Sequence, residues 1–126
     1  MSPVMTTPEF KYLRVSPVED VVLVEIMTKD VQGPDRAQEF SAELIAVVGQ
    51  NSVQPLLVDL CRTCYLSSMG YSALFKMVKA AKARQRPIKF CCIDPDVRVG
   101  ADAVGLYKVV EIYDSREAAL EAFGKG

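Results

Sequence analysis

Leu56 to Lys82 reads LLVDLCRTCYLSSMGYSALFKMVKAAK, and the fold follows from it. The stretch begins as an unbroken apolar run that ends on an acid, Asp59. Runs of this kind mark parallel strands buried on both faces. A short turn then presents Ser67, Ser68 and Gly70, and an amphipathic segment begins at once. Tyr71, Leu74, Phe75, Val78 and Ala81 fall on one face of that segment, and Lys76, Lys79 and Lys82 on the other, which predicts a helix from about Ser68 to Arg84. A helix start exposes unpaired N–H groups and a positive dipole end. On spacing alone, the two serines read as a plain cap, with one side-chain oxygen accepting a backbone N–H.

Working outward, Leu13 to Val15 and Val21 to Met27 read as two strands joined by the turn SPVED. VQGPDRAQEFSAELIAVVGQ is a helix opened by Gly33 and Pro34 and closed by Gly49. Its buried stripe is Ala37, Phe40, Leu44, Val47 and Val48. Val53 to Leu60 is the central strand, and Ile88 to Ile93 follows Pro87 as another. Asp94 and Pro95 cap a short third helix that contains Gly100, where glycine costs about 1 kcal/mol against alanine. Val109 to Tyr113 is the last strand. Asp114 with Glu117 makes a capping-box-like start to a final helix whose apolar side is Ala118, Leu120 and Phe123. The order β-β-α-β-α-β-α-β-α implies an α/β fold: a mixed sheet, an N-terminal hairpin followed by parallel strands, packed with about four helices. Binding groups of such sheets gather beyond the carboxyl ends of the strands, where the 61–70 and 93–96 turns lie.

The chain of 126 residues is of single-domain size, and half of it is hydrophobic, enough for a core without staples. Residues 1 to 12, with Pro3 and Pro8, read as a flexible N-terminal arm before a domain spanning 13 to 124. Net charge is −1, which argues against nucleic acid as partner. The chain has neither the apolar stretch of a membrane span nor the basic-then-apolar start of a signal peptide. The expectation is a cytoplasmic protein with reduced thiols. There is no histidine, so the usual general base and the commonest zinc ligand are missing, and no catalytic residue or cofactor is expected.

Cys61-Arg62-Thr63-Cys64 and Cys91-Cys92 raise redox or metal chemistry. Adjacent cysteines on a strand point to opposite faces, and no histidine or well-placed acid completes a ligand set, so buried inert thiols are the expected reading and no metal site. The run Lys76, Lys79, Lys82, Arg84, Arg86 reads as a solvated helix face. Gly100 to Gly105 lacks the Lys-Ser/Thr of a phosphate loop. Asp59 at a strand end suggests a response-regulator receiver, but the acidic pair and terminal lysine of that class are missing.

The run VDLCRTCYLSSMGYSAL resembles the central segment of the STAS domain, the fold of bacterial anti-sigma-factor antagonists. The family's usual form is a strand ending Asp-Leu-Ser, then Asp-Ser-Ser-Gly-Leu-Gly opening a helix. PDVRVGADAVGLYKVVEIYDSREAAL is similar to its C-terminal part, and the likeness spans roughly residues 13 to 124. Matched from Gly70, Asp59 and Leu60 fall on the strand end, and Ser68 falls on the serine phosphorylated by the family's partner kinase. Ser67 stands where the family has Asp, and Met69 where it has its second serine. The resemblance implies a binding protein, not an enzyme. It would hold a serine-kinase-type anti-sigma factor through Ser67, Ser68, Met69, Gly70 and Tyr71, and phosphorylation of Ser68 would release it. ATP and magnesium would belong to the kinase. Met69, apolar where the family carries a hydroxyl, favours a second reading: a STAS scaffold in a signalling or transporter assembly that takes no phosphate.

Overall fold

The computed structural model describes residues 10–50 and 53–125. Strands β1 (Leu13–Val18) and β2 (Val21–Ile26) form the antiparallel hairpin. The parallel strands β4 (Leu56–Asp59), β6 (Ile88–Cys91) and β7 (Glu111–Tyr113) extend the sheet in the order β1-β2-β4-β6-β7. The helices are α1 (Pro34–Val48), α2 (Ser68–Ala83), α3 (Pro95–Ala103) and α4 (Arg116–Lys125).

Side chains alternate across the sheet, as the two-residue strand period requires. Val24, Ile26, Leu56, Val58 and Phe90 face the larger core, with the buried stripes of α1 and α2. Leu23, Leu57 and Cys91 face the other side, where Ala119, Leu120 and Phe123 of α4 cover them. Ala119, rather than Ala118, is the buried alanine of α4. The predicted stripe of α1 is buried in full. On α2, Phe75 is half-buried, and Gly70, Ala73 and Met77 join the core face.

Several boundaries move for identifiable reasons. β1 runs through the expected turn to Val18, because Pro17 lies on an edge strand, where a missing N–H costs no ladder bond. The hairpin closes at Glu19, with φ 57°. A 3-10 turn at Leu106–Lys108 takes up the approach to the last strand and shortens it. The cap of α4 is Ser115, not Asp114: its hydroxyl accepts Ala118 N–H at 3.0 Å. Asp94 caps α3 as predicted, accepting Asp96 N–H at 2.8 Å.

The proposed arm also ends earlier than expected. Tyr12 is buried, its N–H donates to Glu43 Oε1 at 2.8 Å, and its hydroxyl donates to Glu39 Oε1 at 2.7 Å. Residues 10–12 therefore belong to the packed fold, while residues 1–9 lie outside the described residues.

The solvated-face reading of the basic run holds for Lys76, Lys79, Lys82 and Arg84 and fails for Arg86. After α2 ends, Gln85 takes φ 59° and turns the chain inward, leaving Arg86 only 2% exposed. Its guanidinium donates to Val47 O at 3.3 Å, Val48 O at 3.0 Å and Gln54 O at 2.8 Å. Val47 and Val48 end α1, which has no basic residue in its own last turn. Arg86 thus brings a cation to the negative end of that helix from a distant part of the chain.

Candidate functional site

β4 delivers the chain to the carboxyl edge of the sheet, and the turn after it carries the serines. Two short strands, β3 (Asp30–Val31) and β5 (Tyr65–Leu66), pair in parallel just before α2. Sequence periodicity cannot reveal a two-residue ribbon. Ser67 N–H donates to Val31 O at 3.0 Å, so the ribbon runs directly into the helix start. Thr63, fully buried in the connecting loop, donates its hydroxyl to Thr28 O at 2.9 Å.

Ser67 is the N-cap of α2, its Oγ accepting Gly70 N–H at 3.3 Å. With Ser67 in that role, Ser68 is the first helical residue and is exposed. The first turn of α2 has no acidic side chain to oppose an anion. Met69 is 48% exposed beside it. It stands at one end of an open groove between α1 and α2, lined by Ala37, Ser41, Ile45, Ala73 and Lys76 among others.

Gly70 and Tyr71, expected in the contact rim, face inward. A Cβ on Gly70 would sit 3.1 Å from Leu66 Cδ2, so the close approach there is to the chain itself. Tyr71 is 8% exposed and donates its hydroxyl to Val97 O at 2.8 Å, joining α2 to α3. Burial raises the Tyr71 pKa and keeps this donor protonated. The surface offered at the turn is therefore Ser68 and Met69, with Ser67 half-buried behind them.

Tyr71 also explains the glycine inside α3. A Cβ at Gly100 would collide with the Tyr71 hydroxyl and ring. Exchanging a mid-helix glycine for alanine ordinarily gains about 1 kcal/mol. Here Gly100→Ala is expected to lose about 1–3 kcal/mol, since overpacking and a displaced buried hydrogen bond outweigh that gain. Urea unfolding midpoints would check this; a stabilised variant would mean that Tyr71 rotates away freely.

Asp59 is 3% exposed at the end of β4. Its Oδ2 accepts Arg116 Nη2 at 2.7 Å and its Oδ1 accepts Cys61 N–H at 2.9 Å. Arg116 also reaches Glu25 Oε2 at 3.3 Å, and Glu25 Oε1 pairs with Arg14 at 3.0 Å, so one chain of charges links β1, β2, β4 and α4. The hydrogen bond from Arg116 to Asp59 raises the arginine pKa and keeps the cation fixed.

The cysteines depart from expectation. All four are free; Cys61 and Cys64 are exposed, Cys91 is buried and Cys92 is half-buried. β6 stops at Cys91, and Cys92 takes φ 61°, which breaks the strand alternation assumed for adjacent residues. The Cys91 and Cys92 thiols and a carboxylate oxygen of Asp59 lie within 4.8 Å of one another. The expectation that the two thiols diverge, with no acid near them, is thus overturned. Burial pushes both thiol pKa values up.

The chain is thus an α/β domain with a capped, serine-bearing helix start at the carboxyl edge of its sheet, and comparison with known proteins gives the family. The STAS domain matches residues 35–119, and the chain belongs to that family. It is 31% identical over 87 residues to BtrV of Bordetella bronchiseptica, named as an anti-sigma factor antagonist, covering 69% of this chain and 74% of that one. An anti-sigma factor antagonist structure from Thermotoga maritima superposes with a TM-score of 0.75 at 16% identity, over 90% of this chain and 95% of that one. The murine anion transporter Slc26a9 also contains the fold: TM-score 0.73 at 16% identity, over 88% of this chain and 19% of that one. Among the described residues no helix is long and apolar enough to cross a membrane.

Proposed function

We propose that this STAS domain is an anti-sigma-factor-antagonist-like regulator that binds a serine-kinase-type anti-sigma factor and is released when Ser68 is phosphorylated. The observation that carries the reading is the division of labour at the start of α2. Ser67 makes the cap, and Ser68 stands exposed on the next position. A phosphate there adds about −1.5 to −2 charges, which the helix start tolerates locally. A partner seated over Ser68 and Met69 does not tolerate it, because an anion buried without a cationic mate is costly. The kinase supplies ATP and magnesium, and this chain supplies the hydroxyl.

The test is affinity capture from native extract, followed by measured Kd values of the captured kinase-like regulator. Wild type and Ser68→Ala are expected to bind alike, and Ser68→Asp and phosphorylated protein at least about tenfold more weakly, which corresponds to about 1.4 kcal/mol. Equal affinity of all forms would overturn the switch.

A second reading is supported by Met69. An exposed thioether beside an apolar groove is an adaptable contact. In that reading the domain is a scaffold in a signalling or transporter assembly, takes no phosphate, and keeps its partner through every Ser68 variant.

A further inference from the structure

The Asp59, Cys91 and Cys92 cluster lies at the carboxyl ends of β4 and β6, and phosphorylation of Ser68 makes no use of it. Three observations meet there. The two thiols and the carboxylate are mutually within 4.8 Å. Cys92 holds its position with φ 61°, a backbone conformation that non-glycine residues rarely adopt. A third cysteine, Cys61, two residues beyond Asp59, donates its backbone N–H to the same carboxylate at 2.9 Å.

We propose that Cys61, Cys91, Cys92 and Asp59 form a binding site for a thiophilic divalent cation, with Zn²⁺ as the matching ion. Zinc takes four ligands tetrahedrally, at about 2.3 Å to sulfur and 2.0–2.2 Å to oxygen, so the ligand atoms stand roughly 3.5–3.8 Å apart. Asp59, Cys91 and Cys92 need to contract by about 1 Å, and the exposed Cys61 side chain turns in as the fourth ligand. Three sulfurs exclude magnesium and calcium, which select oxygen donors.

The surroundings suit such an ion. Three thiolates and one carboxylate around Zn²⁺ leave a net charge of −2, and the Arg116 guanidinium, 2.7 Å from Asp59 Oδ2, offsets part of it. Arg116 and the Cys61 N–H also orient the carboxylate, the supporting role that outer partners play at metal sites. Cys91 is fully buried whereas Cys61 is exposed, so the ion enters from the Cys61 side. The free thiols are protonated, and binding releases their protons to the buffer. Cys64 donates its N–H to Lys29 O at 2.7 Å rather than to Asp59, and provides an internal control.

The experiment uses the full chain, reduced with a phosphine, and titrates it with Co²⁺ and then with Zn²⁺ against a chromophoric chelator. One equivalent of Co²⁺ is expected to give thiolate charge-transfer and tetrahedral d–d bands that Zn²⁺ abolishes. Loss of an outer partner costs about 10–100-fold in metal affinity, so loss of a ligand in Cys92→Ser should cost at least about a hundredfold. Cys61→Ser, at an exposed position, should weaken binding by at least about tenfold while leaving the fold intact by circular dichroism. Cys64→Ser should bind as wild type. Absence of the charge-transfer band in wild type, retention of full affinity in Cys61→Ser, or loss of binding in Cys64→Ser would each overturn the site.

Discussion

Arg86→Ala is expected to lower the unfolding free energy by about 3–5 kcal/mol, a large effect for one residue in a basic run. The wild-type guanidinium satisfies three carbonyls, those of Val47, Val48 and Gln54. A hydrogen bond to a charged group contributes about 1.5–3 kcal/mol, and a partly buried cation at a helix C-terminus up to about 2 kcal/mol. Water entering the vacated space returns part of that sum. Arg86→Lys should recover only a fraction, because a lysine offers a point charge where the planar fork reaches several acceptors at once. Lys79→Ala, on the exposed face of α2, should fall within about 0.5 kcal/mol of wild type. Urea unfolding should show a lower midpoint with an unchanged slope. A loss below about 1 kcal/mol for Arg86→Ala would mean that the end of α1 is held by something else.

Arg116→Ala is the second large effect, with an expected loss of about 2–4 kcal/mol. Removing one partner of a buried ion pair typically costs about 3–5 kcal/mol, because the remaining charge stays in a medium that solvates it poorly. Asp59, at 3% exposure, is in that position, but the Arg116 side chain is 37% exposed, so water screens part of the pair. The cost is therefore set by the stranded carboxylate, and the double variant Asp59→Asn with Arg116→Ala should lose less than the sum of the single ones. A double-mutant cycle measures this directly, with a coupling of about 0.5–3 kcal/mol expected. Strict additivity would show that Asp59 and Arg116 do not depend on each other.

The sheet was legible in the sequence because its signals are long. The apolar run ending at Asp59 and the stripe from Ala37 to Val48 extend over enough residues for periodicity to speak. The capping role of Ser67 was readable from its place before the helix, and the family likeness reached the same turn. What escaped was set by contacts distant in sequence or by single dihedral angles. Arg86 looks like its exposed neighbours until Gln85 turns left-handed. Cys91 and Cys92 diverge on any regular strand and converge because β6 stops between them. Asp59 at the end of a buried run required a cation, but nothing local named Arg116, 57 residues away, as its source. Tyr71 stood on the apolar face by periodicity and in the contact rim by family resemblance; the periodicity was right, and its hydroxyl is committed to Val97 across the helix junction.

The small β3–β5 ribbon has a kinetic meaning. With the Ser67 bond to Val31 and the Thr63 bond to Thr28 beside it, the ribbon holds the backbone ahead of Ser68 within the fold of the chain alone. A partner docking there would meet a preformed surface, with little loop-ordering entropy to lose at the encounter. Charge added at Ser68 would act on such a surface by repelling or admitting what docks, without waiting for a slow rearrangement of the chain beneath it.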